Sequence, residues 1–251
     1  MGKPRVAIFD FACCKGCQLQ IVNLEEEILG LLSLIEPVEW REAISDRSDE
    51  YDIAIIEGSI TRAEDEERLR GIRKRAKVLI ALGACATMGG VNKLKNPMEA
   101  EEVKRCVYGR SAGMAHLATE PTRAVGEVVK VDYKVHGCPI SRRELGAMVR
   151  SLAMGVEPVA PNYPVCAECK LRETVCRYEY NEVCLGVVTR GGCNAPCPAG
   201  GGWCFGCRGL VDDPNVNAAR DVMEKYGRTA ADLQGRLALF NSNGGAPCPK
   251  S

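Results

Sequence analysis

Short apolar runs alternate with segments of helical periodicity over the first 155 residues. Three runs, RVAIF from Arg5, DIAII from Asp52 and KVLIAL from Lys77, are continuously apolar after their first residue. Such runs are typical of strands that are buried on both faces of a parallel sheet. A fourth strand is predicted for VDYKV, Val131 to Val135. The order of these elements predicts an α/β fold with helical crossovers.

Apolar residues at steps of three and four predict the helices between these strands. The clearest stripe comprises Ile21, Leu24, Ile28, Leu31 and Ile35. We expect it to form one face of one helix. Thr61 with Glu64, and Ser141 with Glu144, have the spacing of a capping box at a helix start. Gly155 suits the end of the helix that follows Ser141.

The chain changes character near residue 155. The stretch GVEPVAPNYP, residues 155–164, contains three prolines and a glycine and predicts a domain boundary. Residues 166–210 are rich in Cys, Gly and Pro without a clear period, so they bury too little apolar surface to order themselves. We predict two domains, an α/β domain at 1–155 and an irregular domain, mainly coil and helix, at 156–251.

Charge and hydropathy exclude two classes of partner. The 33 basic and 33 acidic residues give a net charge of zero, so nothing favours nucleic acid or an anionic membrane. No apolar run approaches the ~18 residues that a membrane span needs, and the residues of the N-terminus lead us to expect no leader sequence. We expect a cytoplasmic protein without a membrane span.

The 15 cysteines are the unusual feature of the composition. A reducing cytoplasm disfavours disulfides, and an odd count excludes full pairing within one chain. Since the chain has only two histidines, any metal would be held almost wholly by sulfur. Thiolates select zinc, copper(I) or iron–sulfur clusters.

Four cysteines directly follow predicted strands. Cys14 and Cys17 follow the first strand, and Cys85 and Cys138 follow the third and fourth. Ligands of open parallel sheets bind beyond the carboxyl ends of the strands, so we expect these thiols to meet at one edge. Four thiols suit a 4Fe–4S cluster or a tetrahedral zinc ion. Gly16 permits the tight turn, and we expect free N–H groups of the next helix to stabilise the thiolates.

Three cysteines lie apart from the larger sets. Cys13 is either an alternative ligand or a small packed side chain, and packing is favoured. Cys106 lies in a helical pattern, which favours a place in the core. Cys248 lies near the chain end and is expected to be a free thiol.

Eight further cysteines lie between residues 166 and 207. They are Cys166, Cys169, Cys176, Cys184, Cys193, Cys197, Cys204 and Cys207. Eight ligands make two four-thiolate sites, and the simplest partition is sequential, four and four. Two zinc ions would satisfy the count equally well, since structural zinc fits the C-x2-C units, but the spacing favours iron–sulfur clusters.

Five motifs, taken in order, make the chain resemble a known family. They are CKGCQLQ, IEGSI, GACATMGG, GCPISRRE and the eight-cysteine stretch. Together they resemble the small subunit of nickel–iron hydrogenases, most closely the cytosolic type found in sulfhydrogenases and viologen-reducing hydrogenases. The resemblance spans nearly the whole chain, from Arg5 to Gly209.

The resemblance implies a flavodoxin-like first domain and three 4Fe–4S clusters. The proximal cluster would be held by Cys14, Cys17, Cys85 and Cys138. The medial cluster would be held by Cys193, Cys197, Cys204 and Cys207. The distal cluster would be held by Cys166, Cys169, Cys176 and Cys184. Cys166 replaces a histidine of the periplasmic relatives, and Cys197 supplies a ligand that they lack, which makes the medial cluster 4Fe–4S.

The resemblance also implies an oxidoreductase subunit that has no catalytic residue of its own and is inactive alone. It would carry electrons between the nickel–iron site of a large partner subunit and a flavin/NAD(P)-binding or ferredoxin-type acceptor. The alternatives are a relay in a hydrogenase-derived complex without nickel, and a zinc-stabilised structural protein.

Three other residues carry expectations from the same resemblance. Glu57, in IEGSI, matches a family acid with an interface or proton role, and the alternative is a solvated carboxylate. Gln18 replaces a family acid, which puts a proton role at that position in doubt. His136 would donate to a cluster sulfur or pack in the interior, and packing is favoured.

Overall fold

The computed structural model describes residues 2–111 and 113–241. The strands are β1 (Arg5–Asp10), β2 (Glu36–Trp40), β3 (Ile53–Glu57), β4 (Val78–Leu82) and β5 (Tyr133–Val135). The helices are α1 (Gly16–Val22), α2 (Glu26–Leu34), α3 (Ala63–Arg75), α4 (Gly83–Met88), α5 (Ala100–Tyr108), α6 (Arg142–Ala153), α7 (Val165–Leu171), α8 (Pro196–Ala199), α9 (Val216–Lys225) and α10 (Ala230–Asn241). Short 3-10 turns cover Gly90–Lys95, Gly109–Ser111, Ala115–Leu117, Val125–Glu127, Arg177–Tyr180 and Leu185–Val187.

The five strands form one parallel sheet in the order β2-β1-β3-β4-β5. This is the flavodoxin-like order, in which the strand order reverses beside β1. The predicted strands are confirmed, and β2 was missed because its residues EPVEW do not form a continuous apolar run. Pro37 is tolerated there because β2 is an edge strand.

Successive residues of the central strands enter two different apolar clusters. Val6 and Ile8 pack with residues of α1, α2 and α6 on one face of the sheet. Ala7 and Phe9 pack with α3 and the Val125–Glu127 turn on the other face. We call residues 2–154 the sheet region, in which a two-faced sheet is covered by helices on both sides, as predicted.

Two helix predictions for the sheet region were wrong in detail. The stripe from Ile21 to Ile35 spans two helices, because Glu25 takes a φ of 54° between them, although the stripe packs on one core cluster. Helix α3 begins at Ala63 without a side-chain cap, so Thr61 forms no capping box. Ser141 does accept from the Glu144 N–H, at 3.4 Å, at the start of α6.

The cysteine-rich segment, residues 165–211, has little regular structure, as predicted. A third apolar cluster includes Cys184 and Cys204 together with Met223 of α9. Helix α10 returns to lie against the Gly90–Lys95 turn of the sheet region. Residues 155–163 form neither helix nor strand, and the domain boundary proposed there stays a prediction. Cys248 lies outside the described residues.

Membrane insertion has no support among these elements. None of the helices in the described ranges combines the length and the apolarity that crossing a bilayer demands.

Candidate functional site

The proximal thiols lie beyond the carboxyl ends of three strands. Cys14 and Cys17 follow β1, Cys85 lies in α4 directly after β4, and Cys138 follows β5. The four side chains are within electrostatic range of one another, since the charges of Cys138 and Cys85 act on Cys17 and that of Cys14 acts on Cys138. The structure therefore brings together the four thiols that the sequence predicted to meet.

Burial makes thiolates costly at this edge. Burial, with the charge of Cys138, raises the pKa of Cys85 to about 12. Burial and the charge of Glu57 also raise the pKa of Cys17, and a hydrogen bond from the Ile140 backbone opposes the rise. Thiolates in such a site need a cationic centre to neutralise them, and the iron atoms of a cluster would supply one.

Glycines leave room beside these sulfurs. Gly83 has a φ of +82°, and a Cβ placed on it would overlap the Sγ of Cys17. A Cβ on Gly16 would lie 3.3 Å from the Sγ of Cys14. The backbone thus approaches the thiols more closely than any side chain would allow, and the all-sulfur donor set fits a 4Fe–4S cluster.

Glu57 is buried, which overturns the alternative of a solvated carboxylate. Its side chain is 2% exposed and accepts from the N–H groups of Cys17, at 3.0 Å, and Gln18, at 3.3 Å. Burial raises its pKa, and these hydrogen bonds oppose the rise. The N–H groups of the second and third residues of α1 are therefore taken by Glu57 and not by the thiolates, which corrects the expectation for these two groups. Its interface or proton role stays a prediction.

Cys13 lies beside the proximal thiols and is half-buried. Burial, with the charge of Glu57, raises its pKa to about 11. Its charge acts on Cys85, so the side chain lies within electrostatic range of the group, and both predicted uses of Cys13 stay open. Cys106 is exposed, and helix α5 has no buried residue among those described, so its predicted place in the core was wrong.

The partition of the eight cysteines of the cysteine-rich segment into a distal and a medial group stays a prediction. In the distal group, the charges of Cys184, Cys169 and Cys176 act on Cys166, whose pKa burial raises to about 12. In the medial group, the charges of Cys193, Cys138 and Cys197 act on Cys207, and those of Cys184, a distal cysteine, and Cys207 act on Cys204.

The medial group contacts each of the other two groups. The Cys204 N–H donates to the Sγ of Cys184 at 3.2 Å, which joins the medial and distal groups. Burial raises the pKa of Cys207 to about 11, and a hydrogen bond from the Cys138 backbone opposes the rise. The second contact joins the medial and proximal groups. The three groups therefore follow one another in series.

Arg208 ties the cysteine-rich segment to the sheet region. Its guanidinium, 1% exposed, donates at 2.6 Å to the carbonyl of Gly191, to the carbonyl of His136 and to Oε2 of Glu144. Neither Arg208 nor Glu144 was predicted as part of the site, because a buried ion pair between distant residues has no local spacing. The one feature of the sequence that could have indicated a role for Arg208 is its position directly after a predicted ligand.

His136 is half-buried, which is consistent with the favoured packing prediction. Burial, together with the positive charges of Arg190 and Arg208, lowers its pKa to about 3. Its Nδ1 has no hydrogen-bond partner in the part of the chain that the structure describes.

The donor set also bears on which metal could bind. Among residues 2–111 and 113–241, no three His, Cys, Asp or Glu side chains converge closely enough to hold a single metal ion. A 4Fe–4S cluster distributes its ligands over four iron atoms, so its thiolates need not converge on one point.

Comparison with known proteins shows the family. Residues 14–152 match the family model "NADH ubiquinone oxidoreductase, 20 Kd subunit". The chain is 39% identical to the sulfhydrogenase 2 subunit delta of Pyrococcus furiosus, over 88% of this chain and 92% of that protein. It is 30% identical to a vhu subunit of the F420-non-reducing hydrogenase of Methanocaldococcus jannaschii, over 94% and 93% of the two chains.

Solved structures support the same relationship. A chain of an NAD+-reducing [NiFe]-hydrogenase in the H2-reduced state superimposes with a TM-score of 0.56 at 28% identity, covering 64% of this chain and 96% of that one. A [NiFeSe]-hydrogenase chain of Dm. baculatum, with a TM-score of 0.55 at 14% identity over 87% and 98% of the two chains, shares the fold. The chain belongs to the NADH ubiquinone oxidoreductase 20 Kd subunit family and is a hydrogenase subunit of the oxidoreductase class, related to the small, electron-transferring subunits of nickel–iron hydrogenases.

Proposed function

We propose that this chain relays electrons through three 4Fe–4S clusters within a nickel–iron hydrogenase complex. The serial contact of the three thiol groups carries the proposal, since the medial group meets the proximal one at Cys138 and Cys207 and the distal one at Cys184 and Cys204. A relay needs such an order, because an electron moves only between neighbouring centres.

The residues of the chain hold and tune the clusters in this proposal. The clusters supply one-electron chemistry, and the protein controls it through ligation, burial and hydrogen bonds to sulfur. The ligands would be the four cysteines each of the proximal, medial and distal groups. Glycines such as Gly83 give the cluster room, and Glu57 fixes the first turn of α1, which carries Cys17.

The partners follow from the two ends of the series. At the proximal edge, Cys14 and Cys138 are exposed, and Leu19 of α1 is 53% exposed, which suits burial against a large nickel–iron subunit. At the distal end Cys176 is exposed, which suits transfer to a flavin/NAD(P)-binding or ferredoxin-type subunit. The many unpaired thiols suit a reducing cytoplasm.

Metal and sulfide analysis of the complex, purified without oxygen, tests the proposal. We expect about twelve iron atoms and about twelve acid-labile sulfides per copy of this chain. A colourless protein with about three zinc ions would instead establish the zinc-stabilised alternative. If iron and sulfide are present but the partner subunit holds no nickel, the nickel-free relay is the correct interpretation.

A further inference from the structure

Glu168 lies between two distal cysteines but points to the medial group. It belongs to α7, between Cys166 and Cys169, and only 9% of its surface is exposed. Its Oε1 accepts from the Gly192 N–H at 2.7 Å, and its Oε2 accepts from the Asn194 N–H at 2.8 Å. The carboxylate therefore binds the backbone on both sides of residue 193, a medial cysteine.

The loop that Glu168 holds is backbone-strained. Asn194 and Ala195 have φ values of 62° and 45°. Residues other than glycine rarely adopt this left-handed backbone region. Such a conformation persists when surrounding contacts over-determine it. The two hydrogen bonds from this loop to Glu168 are contacts of that kind, so Glu168 fixes where the Sγ of Cys193 lies.

Glu168 also places a negative group beside a ligand sulfur. Its Oε2 is 3.8 Å from the Sγ of Cys193, and its other close partner is the Tyr163 hydroxyl, which donates to Oε1 at 3.0 Å. Negative charge next to a ligated sulfur opposes the gain of an electron by the cluster.

We propose that Glu168 is a positioning residue that couples two centres of the relay. It lies in the helix that carries two distal ligands, but it fixes the position of the medial ligand Cys193 and lowers the reduction potential of the medial centre. The inference rests on the proposed function. The transfer concerned moves one electron between neighbouring centres, so one is reduced as the other is oxidised, with no change of bonds or protons.

Redox titration of the intact complex, followed by EPR and visible absorbance, tests the proposal. The medial signal is first assigned with Cys197→Pro, which should convert that centre to a 3Fe–4S form. In Glu168→Gln we expect the medial midpoint potential to move to a more positive value while the proximal and distal values stay unchanged. In Tyr163→Phe we expect the opposite, negative shift, because a donor that offsets the carboxylate charge is lost.

Glu179→Gln is the matched control. Glu179 is an exposed acid of the same segment, and its variant should leave all three potentials unchanged. The proposal is overturned if both Glu168→Gln and Tyr163→Phe retain full iron and sulfide with unchanged medial potential, or if their shifts have the same sign. If the Glu168→Gln complex does not assemble, the sign of the shift of the medial midpoint potential in Tyr163→Phe decides whether the proposal stands. Absence of iron and sulfide from the unmodified complex would instead refute the proposed function itself.

Discussion

The sheet region and the cysteine-rich segment reach an ordered state in different ways. In the sheet region, each central strand contributes to two apolar clusters, and residues such as Ile56, Leu79 and Leu82 are fully buried. The third apolar cluster, in the later part of the chain, is smaller and includes two thiols, Cys184 and Cys204. Burial of apolar surface is the dominant favourable contribution to folding, so it supports the first region far more than the second.

Buried polar contacts are used differently as well. In the sheet region they cap elements, as Glu57 does for α1. In the cysteine-rich segment they connect loops that have no regular structure, as Glu168 and Arg208 do. Because the segment lacks a sheet to organise it, we expect it to depend on bound groups and on a few buried charges.

Removal of iron should produce the largest difference between the two regions. After anaerobic chelation, we expect residues 165–211 to become open to proteases while the sheet region stays protected, because only the sheet region keeps a large apolar core without metal. Limited proteolysis with mass mapping of the fragments measures this, with the untreated complex as control. Equal cleavage of both regions after chelation would contradict the comparison.

Loss of Arg208 should separate the two regions. Arg208→Ala leaves Glu144 as a buried acid without its partner, which costs about 3–5 kcal/mol. Hydrogen exchange should rise in residues 185–211 and stay slow in β4. Arg62→Ala, which breaks the exposed pair of Arg62 with Glu64, is the control and should change little. Similar exchange in the two variants would show that Arg208 does not hold the segment.

Substitution of Gly83 should affect one cluster only. In Gly83→Ala the new Cβ would overlap the Sγ of Cys17, so we expect loss of about four of twelve irons and a cost of about 1–3 kcal/mol. Gly71→Ala, in α3 with nothing within 4 Å of the new Cβ, is the matched control and should gain up to about 1 kcal/mol. Full iron content in Gly83→Ala would remove Cys17 from the proposed ligands.

Substitution of Cys13 should have the smallest effect. Cys13→Ala is expected to keep the full iron content, whereas Cys14→Ala should lose about four irons. Iron analysis of the two variants side by side is the measurement. If Cys13→Ala loses as much iron as Cys14→Ala does, Cys13 is a ligand, and the proximal assignment must change.

Local patterns in the chain predicted most of the fold. The apolar runs at Arg5, Asp52 and Lys77 became β1, β3 and β4, because a strand buried on both faces has a composition that needs no context. The same reasoning did not predict the edge strand β2 or the helix break at Glu25. An edge strand is only partly buried, and a helix break depends on how the flanking helices pack on the sheet.

The sequence allowed us to predict which thiols of the candidate site lie close together. It did not allow us to predict the residues that surround them. The rule that ligands bind beyond the carboxyl ends of parallel strands was enough to group Cys14, Cys17, Cys85 and Cys138. The burial of Glu57 and the use it makes of the N–H groups of Cys17 and Gln18 were not foreseen. Which donor a buried carboxylate meets depends on the neighbouring strand, which the local spacing does not reveal.

The sequence by itself determined the α/β class and the family, and it predicted the thiol sets, because strand composition and cysteine spacing are local properties of the chain. Only the tertiary structure decided that the three thiol groups follow one another in series, and that Arg208 and Glu168 join their loops. Those contacts link residues 17 to 72 positions apart, and at such separations the packing of the whole chain, rather than any periodicity, selects the partners.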